Sequence, residues 1–436
     1  MVRPRAARGE RVAACGQVDP GTPSARCPGP WGTKAPVGRL KHVKNTVQRN
    51  TVQRNTVQRI AIATAATGAA AALTAAVVPA TATASPASTR SGASAPAGSA
   101  LQRAADRLVE DGQPGVIALS RRGDRVTRVT AGVADTATRR KMTPDLRFRI
   151  ASVTKTFTAA VVLRLVAEHR LSLDDTVARH LPGVLTRNGN DGRKITVRQL
   201  LAQTSGLNEY VQDPRIWQDG GRVWKPRELV DIAQEKAPLS RPGAKWNYAN
   251  TNYVLAGMIV EKVTGRPFGV ELQRRVVGPL KLRHTFLPVA DTGFHGAYVH
   301  GYLDRYGDVS TAISPSSGWT SGGIVSTVDD VARFQRALVT GRLLPKGVQK
   351  AMMTTRPVTD DWVKEDYGLG LARIKTTCGY AWGHDGGWPG YRTWSYTTRD
   401  GGRQAVITYN QSSPALEARP AFRADITKAI DAALCR

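Results

Sequence analysis

The chain is poor in the residues from which metal cages and redox centres are built. Its 436 residues include four cysteines and seven histidines, with no Cys-x-x-Cys or His-x-x-x-His spacing, so no metal site is expected. Gly368-Leu369-Gly370 is too short for a nucleotide loop and lacks a third glycine, so no cofactor is expected either. Acidic residues are scarce: 34 Asp and Glu stand against 62 Lys and Arg, a formal charge of +28. Such an excess could suit nucleic acid. No zinc-finger spacing, RNA-binding aromatic signature or Lys/Arg run in the main body accompanies it, and no nucleic-acid partner is expected. A scattered positive field fits anionic polymers or anionic substrates, and equally a plain solvated surface.

The length allows one large domain or two small ones. Residues 1–59 are basic, rich in Arg, Pro and Gly, without hydrophobic periodicity, and read as a disordered or untranslated extension. The extension ends in three successive Asn-Thr-Val-Gln-Arg repeats, too short for a solenoid unit. Residues 60–84 form an uncharged, Ala-rich run after a basic stretch, ending in Ala80-Thr81-Ala82-Thr83-Ala84. This pattern predicts a secretory signal cut near Ala84, hence a secreted protein that does not span the membrane after cleavage. Residues 85–100 read as a Ser/Ala/Pro/Gly linker, and 101–436 as the folded domain.

Within that domain, Phe157 to Ala167 is apolar except for Thr158 and Arg164, which predicts a helix buried on most of its circumference. Ser152 and Lys155 stand at its N-terminal end, three residues apart and therefore one turn from each other. A serine hydroxyl needs a neighbouring base to become a nucleophile, and a desolvated lysine, its pKa lowered by burial, can serve. The helix N-terminus favours an anion forming there.

Upstream, Leu101 to Glu110 reads as an amphipathic helix, followed by strands at Gly115–Ser120 and Arg125–Val133. Thr196 is a predicted cap for Val197 to Gln203, and the middle region to about Gly341 reads as helix and loop. Strands are expected at Tyr380–His384, Tyr391–Thr397 and Gln404–Asn410, with turns at Asp385-Gly386-Gly387 and Asp400-Gly401-Gly402. A terminal helix is expected from about Ala415 to Leu434. The fold class is therefore α/β (α+β): an antiparallel sheet flanked by N- and C-terminal helices, with a mostly helical insertion. Cys378 and Cys435 are the only cysteines in the part to be exported, which predicts a disulfide between them.

Ser152-x-x-Lys155, Tyr248-Ala249-Asn250 and His384-Asp385-Gly386 occur in the order and at the spacing found in the β-lactamase-like superfamily of serine acyltransferases, with its D-alanyl-D-alanine carboxypeptidases and class C β-lactamases, which the chain resembles from about residue 101 onward. Leu200 to Leu207, Trp246 to Tyr253, Gly322 to Thr327 and Tyr367 to Leu371 agree with it. Histidine opening the third pattern and a Cys pair bracketing the last strands make it most similar to the secreted Streptomyces carboxypeptidases. The resemblance implies an acyl-enzyme on Ser152, with Lys155 as base or proton relay. Tyr248 would shuttle the proton, its pKa lowered between two cations. Asn250 would orient the substrate amide, and His384 would stand in for a lysine as an electrostatic and hydrogen-bonding group. The N–H groups of Ser152 and Gly387, beside Gly386, would form the oxyanion hole.

The expected substrate is a peptidoglycan stem peptide or another small D-amino acyl compound, with β-lactams as acylating inhibitors. The leading expectation is an exported serine acyl hydrolase, a D-alanyl-D-alanine carboxypeptidase or related D-peptidase; rival readings are a β-lactamase, an esterase, a D-aminopeptidase, and a non-catalytic penicillin-binding wall protein. The Streptomyces carboxypeptidases have Thr after the His and Thr after the Gly, to hold a terminal carboxylate. Here those positions are Asp385 and Gly387, and Gln203 stands where many relatives have His. An acid beside an anionic substrate end repels it, which puts simple carboxypeptidase action in doubt unless Arg373 or Lys375 compensates.

Overall fold

The computed structural model describes residues 97–358 and 364–436. The basic extension, repeats, signal run and linker expected before residue 97 lie outside these residues. Among the described residues no helix is long and apolar enough to cross a membrane.

Nine strands form one antiparallel sheet. In chain order they are β1 (Gly115–Arg122), β2 (Arg125–Asp135), β3 (Arg140–Lys141), β4 (Arg356–Pro357), β5 (Asp366–Tyr367), β6 (Ala372–Thr376), β7 (Gly379–Trp388), β8 (Tyr391–Thr398) and β9 (Arg403–Tyr409). Their spatial order is β3-β2-β1-β9-β8-β7-β6-β5-β4, so the first and last thirds of the domain join where β1 pairs with β9. Alternate residues of β1 serve two cores. Val116 and Ala118 pack with Leu101, Leu108, Ile426 and Ile430, whereas Ile117 and Leu119 pack with the opposite cluster around Phe157. One face is thus covered by α1 (Ala97–Glu110) and the C-terminal helix, the other by the helical insertion.

Two expectations need correction. The terminal helix is broken: a short turn at Pro414–Glu417 precedes a helix over Pro420–Cys435, because Pro420 cannot donate into a preceding turn but is suited to the first turn of a new one. The expected turn at Asp385-Gly386-Gly387 is strand, paired with β8 from Ala381 to Trp388, and the chain reverses beyond it around Gly390, at φ 88°. Asp400-Gly401-Gly402 does turn, with Gly401 at φ 71°. The expected disulfide is present: Cys378 and Cys435 are bonded across a sequence separation of 57 residues, tying the β6–β7 connection to the last helix.

Helix α2 (Thr154–Ala167) is enclosed nearly all round, every residue from Thr154 to Leu163 being buried. Its threonines are satisfied without water: Thr156 Oγ1 donates to Gly370 O at 2.8 Å and Thr158 Oγ1 to Thr320 O at 2.7 Å. Phe157 stacks on Phe334 with ring centroids 3.6 Å apart. Such a helix is a rigid mount for whatever stands at its start.

Candidate active site

The chain enters α2 from the short strand Phe148–Arg149 through a single 3₁₀ turn, Ala151–Val153. Ala151 is left-handed, at φ 50°, which costs a non-glycine residue about 1 kcal/mol and turns the next residue out of the strand path. That next residue is Ser152. Lys155, one turn on, is wholly buried and has its Nζ 3.0 Å from Ser152 Oγ, 2.5 Å from Asn250 Oδ1 and 2.9 Å from Ser321 O. Burial lowers its pKa to about 7, with Glu209 and then Asp385 pulling the other way. A neutral amine has two N–H bonds and one lone pair. The Ser321 carbonyl and the Asn250 amide oxygen can only accept, so they take the two N–H bonds and leave the lone pair to the Ser152 hydroxyl. The environment thus makes Lys155 a base aimed at Ser152.

Asn250 opens α3 (Asn250–Thr264) and is tied to both Lys155 and Glu209. Its Oδ1 accepts from Lys155, and its Nδ2 and backbone N–H both donate to Glu209 Oε2 at 2.8 Å. The amide holds the lysine in place. Gln203, itself left-handed at φ 60° and fully buried, fixes this corner: its Oε1 accepts from Ala249 N at 3.1 Å and Asn252 Nδ2 at 2.5 Å, and its carbonyl accepts from Asn247 N at 2.8 Å. Gln203 is thus a clasp for the Tyr248-Ala249-Asn250 turn.

Tyr248 faces Ser152 and Lys155, but its phenol is not acidified as the resemblance implied. Burial, then Tyr367, raises its pKa well above the ordinary value, and a hydrogen bond with Ser152 offsets only part of that. The lysine ammonium position lies over the ring face, 4.7 Å from its centroid. Tyr248 therefore keeps its proton and is a donor rather than a standing base.

The opposite wall is β7. β6 pairs with it only as far as Gly383, which leaves the edge from His384 onward for the turn that carries Ser152. Gly386 lies so close that a Cβ there would stand 2.4 Å from Ile150 O and 2.8 Å from Ser152 N. No side chain fits. The same close approach sets the Ser152 backbone N against Gly386, next in sequence to Gly387, the other expected oxyanion donor. His384 is buried, which lowers its pKa to about 4, against Asp385. It is neutral in the working range and cannot supply the charge expected of it. Its Nδ1 faces the Asp385 carbonyl and must carry the proton, leaving Nε2 to accept from Tyr367 Oη at 3.0 Å.

Two expected residues are committed elsewhere. Arg373 Nε donates to Asp366 at 2.7 Å and its guanidinium stacks 4.3 Å over the Tyr380 ring, while Lys375 is exposed. Asp385 borders the site but is ion-paired, Oδ1 lying 2.6 Å from Lys364 Nζ. Burial works to raise its pKa, yet Lys364, His384 and Arg392 hold the carboxyl below its ordinary range. Sequence reasoning missed Glu209, Ser321 and Lys364. Glu209 stands two residues beyond the Leu200 to Leu207 stretch that carries the resemblance, a signal that could have led to it.

Three comparisons bear on this geometry. The sequence profile of the family described as Beta-lactamase matches residues 101–428. A D-stereospecific amidohydrolase from Streptomyces sp. is 40% identical, with a TM-score of 0.71 over 78% of this chain and 99% of that one. The D-amino acid amidase of Ochrobactrum anthropi SV3, solved with L-phenylalanine, is 26% identical at a TM-score of 0.68 over 77% and 98%. Among curated proteins, the D-aminopeptidase of Brucella ovis is 27% identical over 315 residues, 70% of this chain. The chain spans only 58% of that relative's length.

Proposed function

Since the chain belongs to the β-lactamase family of serine hydrolases, we propose that it is a D-stereospecific amidase or aminopeptidase, which hydrolyses the amide of an N-terminal D-residue bearing a free α-amino group. The observation that carries the reading is Glu209. Burial raises its pKa, against hydrogen bonds from Asn250 and Val211 and the charge of Lys155, so a cationic ligand beside it would restore a favourable charge balance. Oε2 is engaged twice by Asn250, whereas Oε1 accepts, among the described residues, only from Val211 N, at 3.1 Å. A free lone pair thus stands one side chain away from the catalytic lysine, where a substrate α-ammonium could dock. The names of the solved neighbours, an amidohydrolase and a D-amino acid amidase, support the same class. The D-alanyl-D-alanine carboxypeptidase reading has no equivalent support, since Asp385 sits where a terminal carboxylate would be held.

In the proposed reaction, Ser152 passes its proton to Lys155 Nζ as Oγ bonds the substrate carbonyl carbon. The oxyanion is held at the Ser152–Gly387 seam. Tyr248 delivers its proton to the leaving nitrogen and is reprotonated from Lys155, so the C–N bond breaks with lysine and phenol both neutral again. Water then attacks the acyl-enzyme, giving its proton to the same relay, which returns it to Ser152 Oγ as the Oγ–C bond breaks and the acid is released. Export belongs to the proposal as well: the Cys378–Cys435 bond fits an oxidising compartment.

The test is ammonia release from D- and L-phenylalanine amide. Only the D-form should be turned over, and Ser152→Ala should abolish it. Glu209→Gln should weaken kcat/KM on the D-amide by about 10–100-fold, the worth of one charged hydrogen bond, while sparing an ester without an amino group. Equal turnover of the L-amide, or of the N-acetylated D-amide, would overturn the reading.

A further inference from the structure

Between His384 and Gly386, two β7 residues that border the site, lies a charge that the proposed reaction does not use. The Asp385 and Lys364 side chains are only 17% and 8% exposed, with 2.6 Å between Oδ1 and Nζ. Burying such a pair costs desolvation that an apolar pair of the same volume would avoid, so packing alone does not account for it. The Asp385 carboxylate bears on Lys155 and on Tyr248, the groups that take and deliver the proton. Glu209 bears on the same two groups, and position tells the two acids apart: Asp385 Oδ1 lies 3.9 Å from His384 Nδ1, whose ring is 6.2 Å from that of Tyr248, on the β7 wall, whereas Glu209 is bonded to Asn250 on the other wall.

We propose that the Asp385–Lys364 pair sets the charge tolerated on the leaving group, so that amides and peptides neutral at that end are accepted and those with a free carboxylate next to the scissile bond are rejected. The inference rests on the amidase reading and adds the substrate's other end to it. Asp385 is here a specificity residue, acting through its field. Removing its negative charge should make the pocket welcome a carboxylate, and removing Lys364's positive charge should make it more hostile.

The experiment uses D-phenylalanyl-glycine, whose leaving group ends in a carboxylate, and D-phenylalanyl-glycinamide, whose leaving group is neutral. Both are measured as competitors of p-nitrophenyl acetate hydrolysis, and their inhibition constants are compared as a ratio. Wild type should bind the amide better. Asp385→Asn should shift the ratio toward the carboxylate by about tenfold or more, as expected for loss of a nearby like charge, and Lys364→Gln should shift it the opposite way. Opposite signs are the signature, since a merely structural role would weaken both competitors together in both variants. Asp385→Thr serves if Asp385→Asn does not fold. A ratio within about twofold of wild type in the folded Asp385 variant, or the same sign in both, would overturn the proposal. If wild type hydrolyses the ester but no D-amino acid amide, the proposed function fails by itself, and the competitor ratio still decides the role of the pair.

Discussion

The pKa of Lys155 gives the most exacting test of the site. With a value of about 7, roughly a tenth of the side chain is free base at pH 6, about half at pH 7 and about nine-tenths at pH 8. An ordinary lysine at about 10.4 would be less than about 0.1% free base at pH 7, so burial increases the reactive fraction about a thousandfold. Acylation, read as kcat/KM on p-nitrophenyl acetate, which has no amino group to titrate, should climb about tenfold per pH unit below 7 and level off above 8, whereas a D-amino acid amide should add a falling limb above about pH 7.7 as its α-ammonium loses its proton. No limb from His384 should intrude near pH 6.5, because that ring loses its proton only around pH 4. The same burial fixes a sign in stability. The folded pKa lies below the unfolded one, so between about pH 7 and pH 10.4 the unfolded chain binds more protons and stability rises with pH. The full difference approaches about 5 kcal/mol at about 1.36 kcal/mol per unit. Denaturant titrations across that window, compared with Lys155→Met, should show the wild type gaining on the variant as pH increases. A flat rate profile from pH 6 to 8, or a stability difference that does not change between pH 7 and 10, would refute a neutral buried lysine as the base.

Two further outcomes follow from the packing. Gly386→Ala should cut kcat by about a hundredfold or more, the scale of a disturbed oxyanion site, because the added methyl meets Ile150 O and Ser152 N; the displaced backbone should also lower the circular dichroism melt by several degrees, and unimpaired turnover would contradict the seam. Reduction of Cys378–Cys435, or Cys378→Ser with Cys435→Ser, should lower stability by up to about 4 kcal/mol in the chain-entropy picture, with kcat nearly unchanged, since the bond lies at the far end of β7; two free thiols in the native protein would contradict it.

Much of this was legible in the sequence, and what was not has physical causes. Ser152, Lys155, Tyr248 and His384 stand in short patterns fixed by local geometry, and the alternation in β1, β8 and β9 marks strands. The Gly386-Gly387 pair was misread as a turn because glycine signals both a free backbone and a close neighbour, and only the position of Ser152 tells which. The protonation states of Tyr248 and His384 were misjudged because burial, which a sequence does not display, outweighs the nearby charges. Arg373 looked available until Asp366 and Tyr380 were seen beside it. Glu209 had no pattern of its own; its meaning comes from Asn250, which lies a helix and a loop away in the chain.

The pairing of β1 with β9 carries a consequence for how the enzyme comes into being. Val116 meets Tyr409, so a strand made near the start of the domain must wait for one made almost at its end. Until then the β1–β2 hairpin holds an unpaired edge and two apolar faces, a state that invites pairing with other chains. Contacts so distant in sequence slow the search for the native arrangement. The cleft is later still, since it needs Ser152 on one wall and His384 to Gly387 on the other. A nascent chain therefore cannot assemble the site until β7 to β9 have been made.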